Sequence, residues 1–524
     1  MRRLPVVLTF LLLLLAGSAS AAERPPKATD PPAGAAISDS LEYIGKLSGS
    51  DSVTEGKFDR LRGHDVLVLN GAWGLRTFDV SDPAKPELLD SFLPADLAEN
   101  GFWQGEDLDI DRKRKLAFLS LDPRHDDKDP IATGCPPDGS TRLPQCRSGI
   151  YVISFADPAN LRQVGGFTEV PAGHTTSCID GCRWLWTGGP ARRSDLAYLG
   201  PFTEGGRGDG RPVWVTDMRD PAAPEVQGRP IDLYRNDGAT DYSHDVQVDD
   251  DGIAWASGRG GVRGYATSGM HRDPASNTVR RARPWDPILV AGGGFAGGPA
   301  GVGTPTSMFM HNSMRPLDGK VRAEGVADGN VLVATEEEFN DDCASDGRLV
   351  FADITDSLGG EPALNSTPEQ PYRMRPLASW HPAINTPETT APNTDCSAHY
   401  FDIDGGALAQ GWYSQGVRVL DIADARAPRQ IGYFRVQSDG AADNPSSLVW
   451  DTQFHRGLLW VFDMDRGVEV LRLAQPQAGA SRLPAVIAPD LQADRYAAQP
   501  VGSRTTSGLV CPLFRDSAAA RAAS

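Results

Sequence analysis

Hydrophobic residues along this chain come in short alternating runs broken by glycine and by Asp-Pro. The clearest copy reads Asp65-Val66-Leu67-Val68-Leu69-Asn70-Gly71-Ala72-Trp73-Gly74-Leu75-Arg76-Thr77-Phe78-Asp79-Val80-Ser81-Asp82-Pro83. This spacing predicts an alternating strand, a glycine turn, a second strand and an Asp-Pro turn, with strands of about five residues. The second strand and its turn recur as Gly149-Ile150-Tyr151-Val152-Ile153-Ser154-Phe155-Ala156-Asp157-Pro158 and as Val213-Trp214-Val215-Thr216-Asp217-Met218-Arg219-Asp220-Pro221. Further copies at 261–265, 349–356, 416–422 and 467–471 bring the total to seven.

A repeat of this kind overrides chain length as a guide to domains, because each copy is one blade-sized unit that buries its faces only against its neighbours. After most copies comes a third strand such as Arg429-Gln430-Ile431-Gly432-Tyr433-Phe434. The last copy lacks one, and the matching strand Leu41-Glu42-Tyr43-Ile44-Gly45-Lys46-Leu47 stands ahead of the first copy. The pattern therefore predicts an all-β fold: a seven-bladed β-propeller of four-stranded blades whose ring is closed by an N-terminal strand. Closure of this kind leaves no long unpaired edge.

The strand that reads Leu-Arg-Thr-Phe-Asp-Val at 75–80 and Val-Arg-Val-Leu-Asp-Ile at 417–422 resembles the motif of the LVIVD-repeat family of secreted β-propeller proteins. That resemblance extends over residues 41–473. It implies the fold and an exported protein, and no single activity.

The termini set the remaining boundaries. Arg2 and Arg3, an apolar run from Leu4 to Ala16, and the small residues Gly17 to Ala22 form a signal peptide, residues 1–21. The run is too short for a permanent span and no second one follows, so no integral membrane segment is expected. Residues 22–36, rich in Pro and Ala, read as a disordered lead-in, 37–474 as the propeller, and 475–524 as an extended or disordered tail. The expected location is secreted, extracellular or periplasmic.

Charge and cysteine content narrow the partners. A formal charge of −18 repels phosphate backbones, so nucleic acid is not expected. Seven cysteines in an exported chain point to disulfides. The spacings pair Cys178 with Cys182 across a hairpin turn, Cys135 with Cys146 around one Pro/Gly loop, and Cys343 with Cys396, leaving Cys511 single.

In a propeller the innermost strands start on one face of the disc. The long insertions at 123–148, 188–211, 291–310, 336–347 and 357–395 fall on that face, and tight turns such as Asp249-Asp250-Asp251-Gly252 fall mostly on the other. A site is expected on the loop-rich face. Four of the chain's nine histidines stand at the start of successive inner strands: His174, His244, His311 and His399. The same place holds Glu106 in the second blade and Trp450 in the seventh. Equivalent positions on adjacent inner strands face the axis, so the imidazoles are candidates to converge on Fe, Cu or Zn, with Glu106 as a fifth ligand or an orienting group. Four inner-strand histidines on a seven-bladed propeller also resemble the iron-holding arrangement of the carotenoid-cleaving oxygenases. That likeness is one of architecture and implies no substrate. The alternative role for each histidine is a hydrogen bond to the next blade's backbone.

Glu336-Glu337-Glu338-Phe339-Asn340-Asp341-Asp342 offers oxygen ligands to Ca²⁺ but lacks the spacing of a calcium loop, and reads better as a solvated acidic patch. No serine-nucleophile elbow, phosphate loop or zinc-helix motif appears. Two functions follow. The first is a binding protein that takes an extracellular or envelope protein, glycan or small molecule on its loop-rich face. The second is a metal-dependent enzyme, such as an oxidoreductase, centred on the histidine cluster.

Overall fold

In a computed structural model, described here for residues 26–474 apart from 96, 98–104, 122–146, 190–212, 229, 232–241, 260, 275, 292–309, 338–346, 359–373, 383–395 and 438–444, the chain forms seven antiparallel blades. Their inner strands are Val53–Leu61, Asp109–Asp111, Thr175–Ile179, Tyr242–Val248, Met310–Met314, Phe401–Asp404 and Val449–His455, and the blades are numbered in that order. A single turn of helix, Thr355–Leu358, is the one described helix.

Burial explains the change of pattern across a blade. The second strands Leu116–Leu121 and Leu458–Asp463 are buried at every position because a neighbouring blade covers each face. The outermost strand Glu87–Phe92 has no fully buried residue and carries Glu and Asp. The core consists of the seams between blades. At the seam of blades 7 and 1, Phe58, Leu67, Phe78, Trp460, Phe462 and Val468 pack together, and each large side chain withdrawn from water contributes roughly 1.5–3 kcal/mol.

Closure occurs as the displaced strand predicts. Leu41–Lys46 becomes the outermost strand of blade 7, pairing antiparallel with Gly467–Leu473 in the register Leu41 to Leu473 and Tyr43 to Leu471. One expectation needs correction. Ala35 and Ala36, assigned to the disordered lead-in, lie on a short strand, Ala35–Ile37, that pairs with the outer strand Arg429–Val436 of blade 6. The edge of that blade offers unpaired backbone groups, and a proline-free stretch satisfies them. Blade 4 carries an added hairpin of Met270–Asp273 and Thr278–Arg281.

Candidate metal centre at the propeller axis

A backbone irregularity recurs at the head of the inner strands. Register shifts between Val53 and Glu55, Ser243 and Asp245, Met310 and Ser313, and Val449 and Asp451 mark it in blades 1, 4, 5 and 7. In blade 6 the His399 N–H donates to the Gly411 carbonyl at 3.0 Å while the Gly411 N–H donates to the Tyr400 carbonyl at 3.0 Å. Such a bulge sets two residues against one and re-aims their side chains. The residues carried on these bulges include His244, His311 and His399, with His174 and Glu106 just ahead of the inner strands of blades 3 and 2. Close approach needs glycine here. A Cβ on Gly189, which has a φ of +111°, would sit 2.2 Å from the His174 Cβ.

The five side chains meet. His174 Nε2 and His244 Nε2 each lie 2.9 Å from Glu106 Oε2, His311 Nε2 lies 3.4 Å from the same oxygen, and His399 Nε2 lies 3.1 Å from Oε1. The two nitrogens of His174 and His244 are 2.8 Å apart, and all five side chains are fully buried. Donors held by one ion at about 2.1 Å, and separated by tetrahedral or octahedral angles, stand about 3.0–3.4 Å from each other. The distances of 2.9–3.4 Å from the four nitrogens to Glu106 approach that range, and the His174 to His244 separation of 2.8 Å is a little shorter.

Hydrogen bonds orient the rings. A carbonyl can only accept, so Nδ1–H of His399 donates to the Trp450 carbonyl at 2.7 Å and Nδ1–H of His244 donates to the His311 carbonyl at 3.2 Å. The backbone-sealing role is therefore real for these two residues, and it serves the other role as well. With the proton on Nδ1, each Nε2 turns a lone pair toward the centre. Among the described residues neither nitrogen of the buried His311 has a hydrogen-bond partner.

Burial and mutual charge pull this cluster in opposite directions. Burial pushes the imidazoles of His244, His311 and His399 below the ordinary histidine value and so favours their neutral forms. Burial alone would raise the Glu106 carboxyl, but the surrounding imidazoles outweigh it and hold the group well below the usual carboxylate range. A buried carboxylate among imidazoles that burial drives toward neutrality needs a cation beside it, either a protonated imidazole or a bound metal ion. A metal ion would supply the missing charge and use the converging lone pairs. The buried His/Glu cluster thus fits a metal in chemistry and geometry.

A further acidic residue joins from above. Glu337, together with His244 and His311, offers ligand atoms within 4.8 Å of one another. The Tyr413 hydroxyl donates to Glu337 Oε1, and the neighbouring Glu336 is locked to Arg348 at 2.8 and 3.0 Å. The reading of a solvated acidic patch is corrected at these two positions: both glutamates are buried, held by an arginine and a tyrosine that the local sequence does not reveal. Glu338 to Asp342 lie outside the described residues.

Cys178 and Cys182 form a disulfide, and Cys396 is also disulfide-bonded. Cys135, Cys146, Cys343 and Cys511 lie outside the described residues, as do residues 1–25, where a signal peptide is expected, residues 475–524 and most of the long insertions. Among the described residues no helix is long and apolar enough to cross a membrane.

No protein-family model matches the chain, and no curated protein does, so the likeness to LVIVD-repeat proteins rests on the strand motif alone. Solved propellers are similar in outline. A periplasmic gluconolactonase of Pseudomonas aeruginosa is 13% identical with a TM-score of 0.45, over 85% of this chain and 95% of that one. The extracellular domain of a putative hybrid two-component system from B. thetaiotaomicron is 11% identical with a TM-score of 0.44, over 82% of this chain and 39% of its own length. The β-propeller domain of Cps50 (Swd1) from Myceliophteria thermophila is 10% identical with a TM-score of 0.43, over 81% of this chain and 98% of that one. Likeness at this level assigns no activity.

Proposed function

We propose that the protein is an exported metalloenzyme whose centre is a transition-metal ion held by His174, His244, His311 and His399, with Glu106 as the fifth donor. One observation carries the reading: four ring nitrogens, all fully buried, stand 2.9–3.4 Å from the two carboxylate oxygens of the buried Glu106. Four imidazoles favour Fe, Cu or Zn over Ca²⁺, which prefers an all-oxygen shell. An ion so bound would supply Lewis acidity or one-electron redox chemistry, and the oxidoreductase class fits a nitrogen-rich site. The chain's own contribution is to fix the tautomers through the Trp450 and His311 carbonyls and to keep bulk water from the donors.

The test is elemental analysis of protein purified without an affinity tag. One equivalent of Fe, Cu or Zn is expected, with its loss in a His244→Ala variant shown by circular dichroism to be folded. Absence of a stoichiometric metal, or an unchanged metal content in that variant, would overturn the proposal.

A further inference from the structure

Along the axis toward the opposite face the structure opens into a cavity of about 550 Å³, to which the inner strands of blades 1, 4, 5, 6 and 7 all contribute. This volume lies within the roughly 300–1,000 Å³ of small-molecule sites. It lies toward the ends of the inner strands of blades 1 and 7, beside the turns at Arg62-Gly63 and Arg456-Gly457.

Charge in the cavity is unevenly settled. At the mouth, Asp65 pairs with Arg456, and Asp59 pairs with Lys115 at 2.6 Å. Deeper in, the Lys57 ammonium is engaged by Glu55 and lies 3.7 Å from Asp107 Oδ1. Asp402 and Asp451 also line the cavity, and among the described residues no lysine or arginine forms an ion pair with either. Their hydrogen bonds come from neutral donors, Asp402 accepting from the Phe454 and Ile403 N–H groups at 2.8 Å and Asp451 from Gln453 Nε2 at 2.9 Å and the Thr452 N–H, while the Lys57 charge acts on both from beyond ion-pair distance. Burial pushes their carboxyls up, to about 6 for Asp402 and about 7 for Asp451.

A second, independent feature points to a ligand. Tyr400 lines the same cavity, and among the described residues the hydroxyl of this residue, only 3% exposed, has no hydrogen-bond partner. A buried phenol without a partner is costly unless something binds it. The rings of Phe401 and Phe454 supply apolar and cation-attracting wall beside the two aspartates.

We propose that this cavity binds a small organic amine, its ammonium group meeting Asp402 and Asp451, its carbon frame lying against Phe401 and Phe454, and the Tyr400 hydroxyl providing a further polar contact. This site goes beyond the metal centre and does not depend on it.

The experiment is isothermal titration of the full-length protein with three ligands of one shape: benzylamine, benzyl alcohol and benzoate. Benzylamine is expected to bind at least about tenfold more tightly than benzyl alcohol, with benzoate weakest, a separation of about 1.4 kcal/mol per tenfold. Asp402→Asn and Asp451→Asn should each weaken benzylamine by about tenfold and Tyr400→Phe by about threefold, in line with hydrogen bonds to charged and neutral partners. Equal binding of the three ligands, a preference for benzoate, or no binding of benzylamine would overturn the proposal. The ligand series uses the unaltered protein, so it decides the matter even where a variant does not fold.

Discussion

The two ends of the propeller axis solve the same packing problem with opposite chemistry. Toward the loop-rich face, four imidazoles and Glu106 close the axis completely and leave no exposed side chain among the five. Toward the other face, the next residue in each blade changes the character of the ring: Glu55 after Thr54 in blade 1, Asp107 after Glu106 in blade 2, Asp245 after His244 in blade 4, Tyr400 after His399 in blade 6 and Asp451 after Trp450 in blade 7, with the uncharged Thr175 and Asn312 after His174 and His311. There the donors are oxygens and a cavity opens. The same bulge serves both ends, since it turns two consecutive side chains inward. A repeat fold can in this way stack a nitrogen-rich layer on an oxygen-rich layer by altering adjacent positions in each blade, and the two layers suit different cations.

That contrast can be broken experimentally, most strongly at its nitrogen-rich end. Glu106→Gln keeps the shape of the central side chain and removes its charge. Metal affinity should fall by at least the roughly 10–100-fold seen when even an orienting partner of a metal ligand is lost, as read by competition with a chelator. Retention of full affinity would remove Glu106 from the ligand set. The benzylamine affinity should stay within about twofold of the parent, which would establish that the two ends act separately.

A smaller effect belongs to the oxygen-rich end. Glu55 and Asp451 are raised to about 7 and Asp402 to about 6, chiefly by burial. A carboxyl whose folded value exceeds its unfolded one gives stability that is complete below the unfolded value and fades as pH rises through the folded value. For Asp451 that window runs from 3.8 to about 7. The thermal midpoint is therefore expected to decline between about pH 4 and pH 7, and Asp451→Asn should flatten the decline. A midpoint that rises across this range, or a slope unaltered by the substitution, would contradict the assignment.

Much of this architecture was legible in the sequence. The alternation at Asp65 to Pro83 and its copies fixes strand and turn locally, and the missing third strand after Val468 has no other candidate than Leu41 to Leu47. The histidines were visible as well, because a repeat puts equivalent residues in equivalent places. What escaped depends on contacts between distant segments. Glu337 is drawn over the histidines by Tyr413, some seventy residues on, and Glu336 by Arg348. Ala35 to Ile37 finds a partner only once blade 6 exists. The acidic layer did leave a signal, an acid directly after the ring position in blades 1, 2, 4 and 7, but that signal emerges only when the bulges align the blades. The histidine cluster lies at the starts of the inner strands, while the cavity lies toward their ends.

The most direct test of the central claim is X-ray absorption at the edge of whichever metal accompanies the tag-free protein. The account predicts a first coordination shell of nitrogen and oxygen at about 2.0–2.2 Å with the outer-shell scattering of several imidazoles. A spectrum without imidazole scattering, or a protein with no metal to measure, would contradict it.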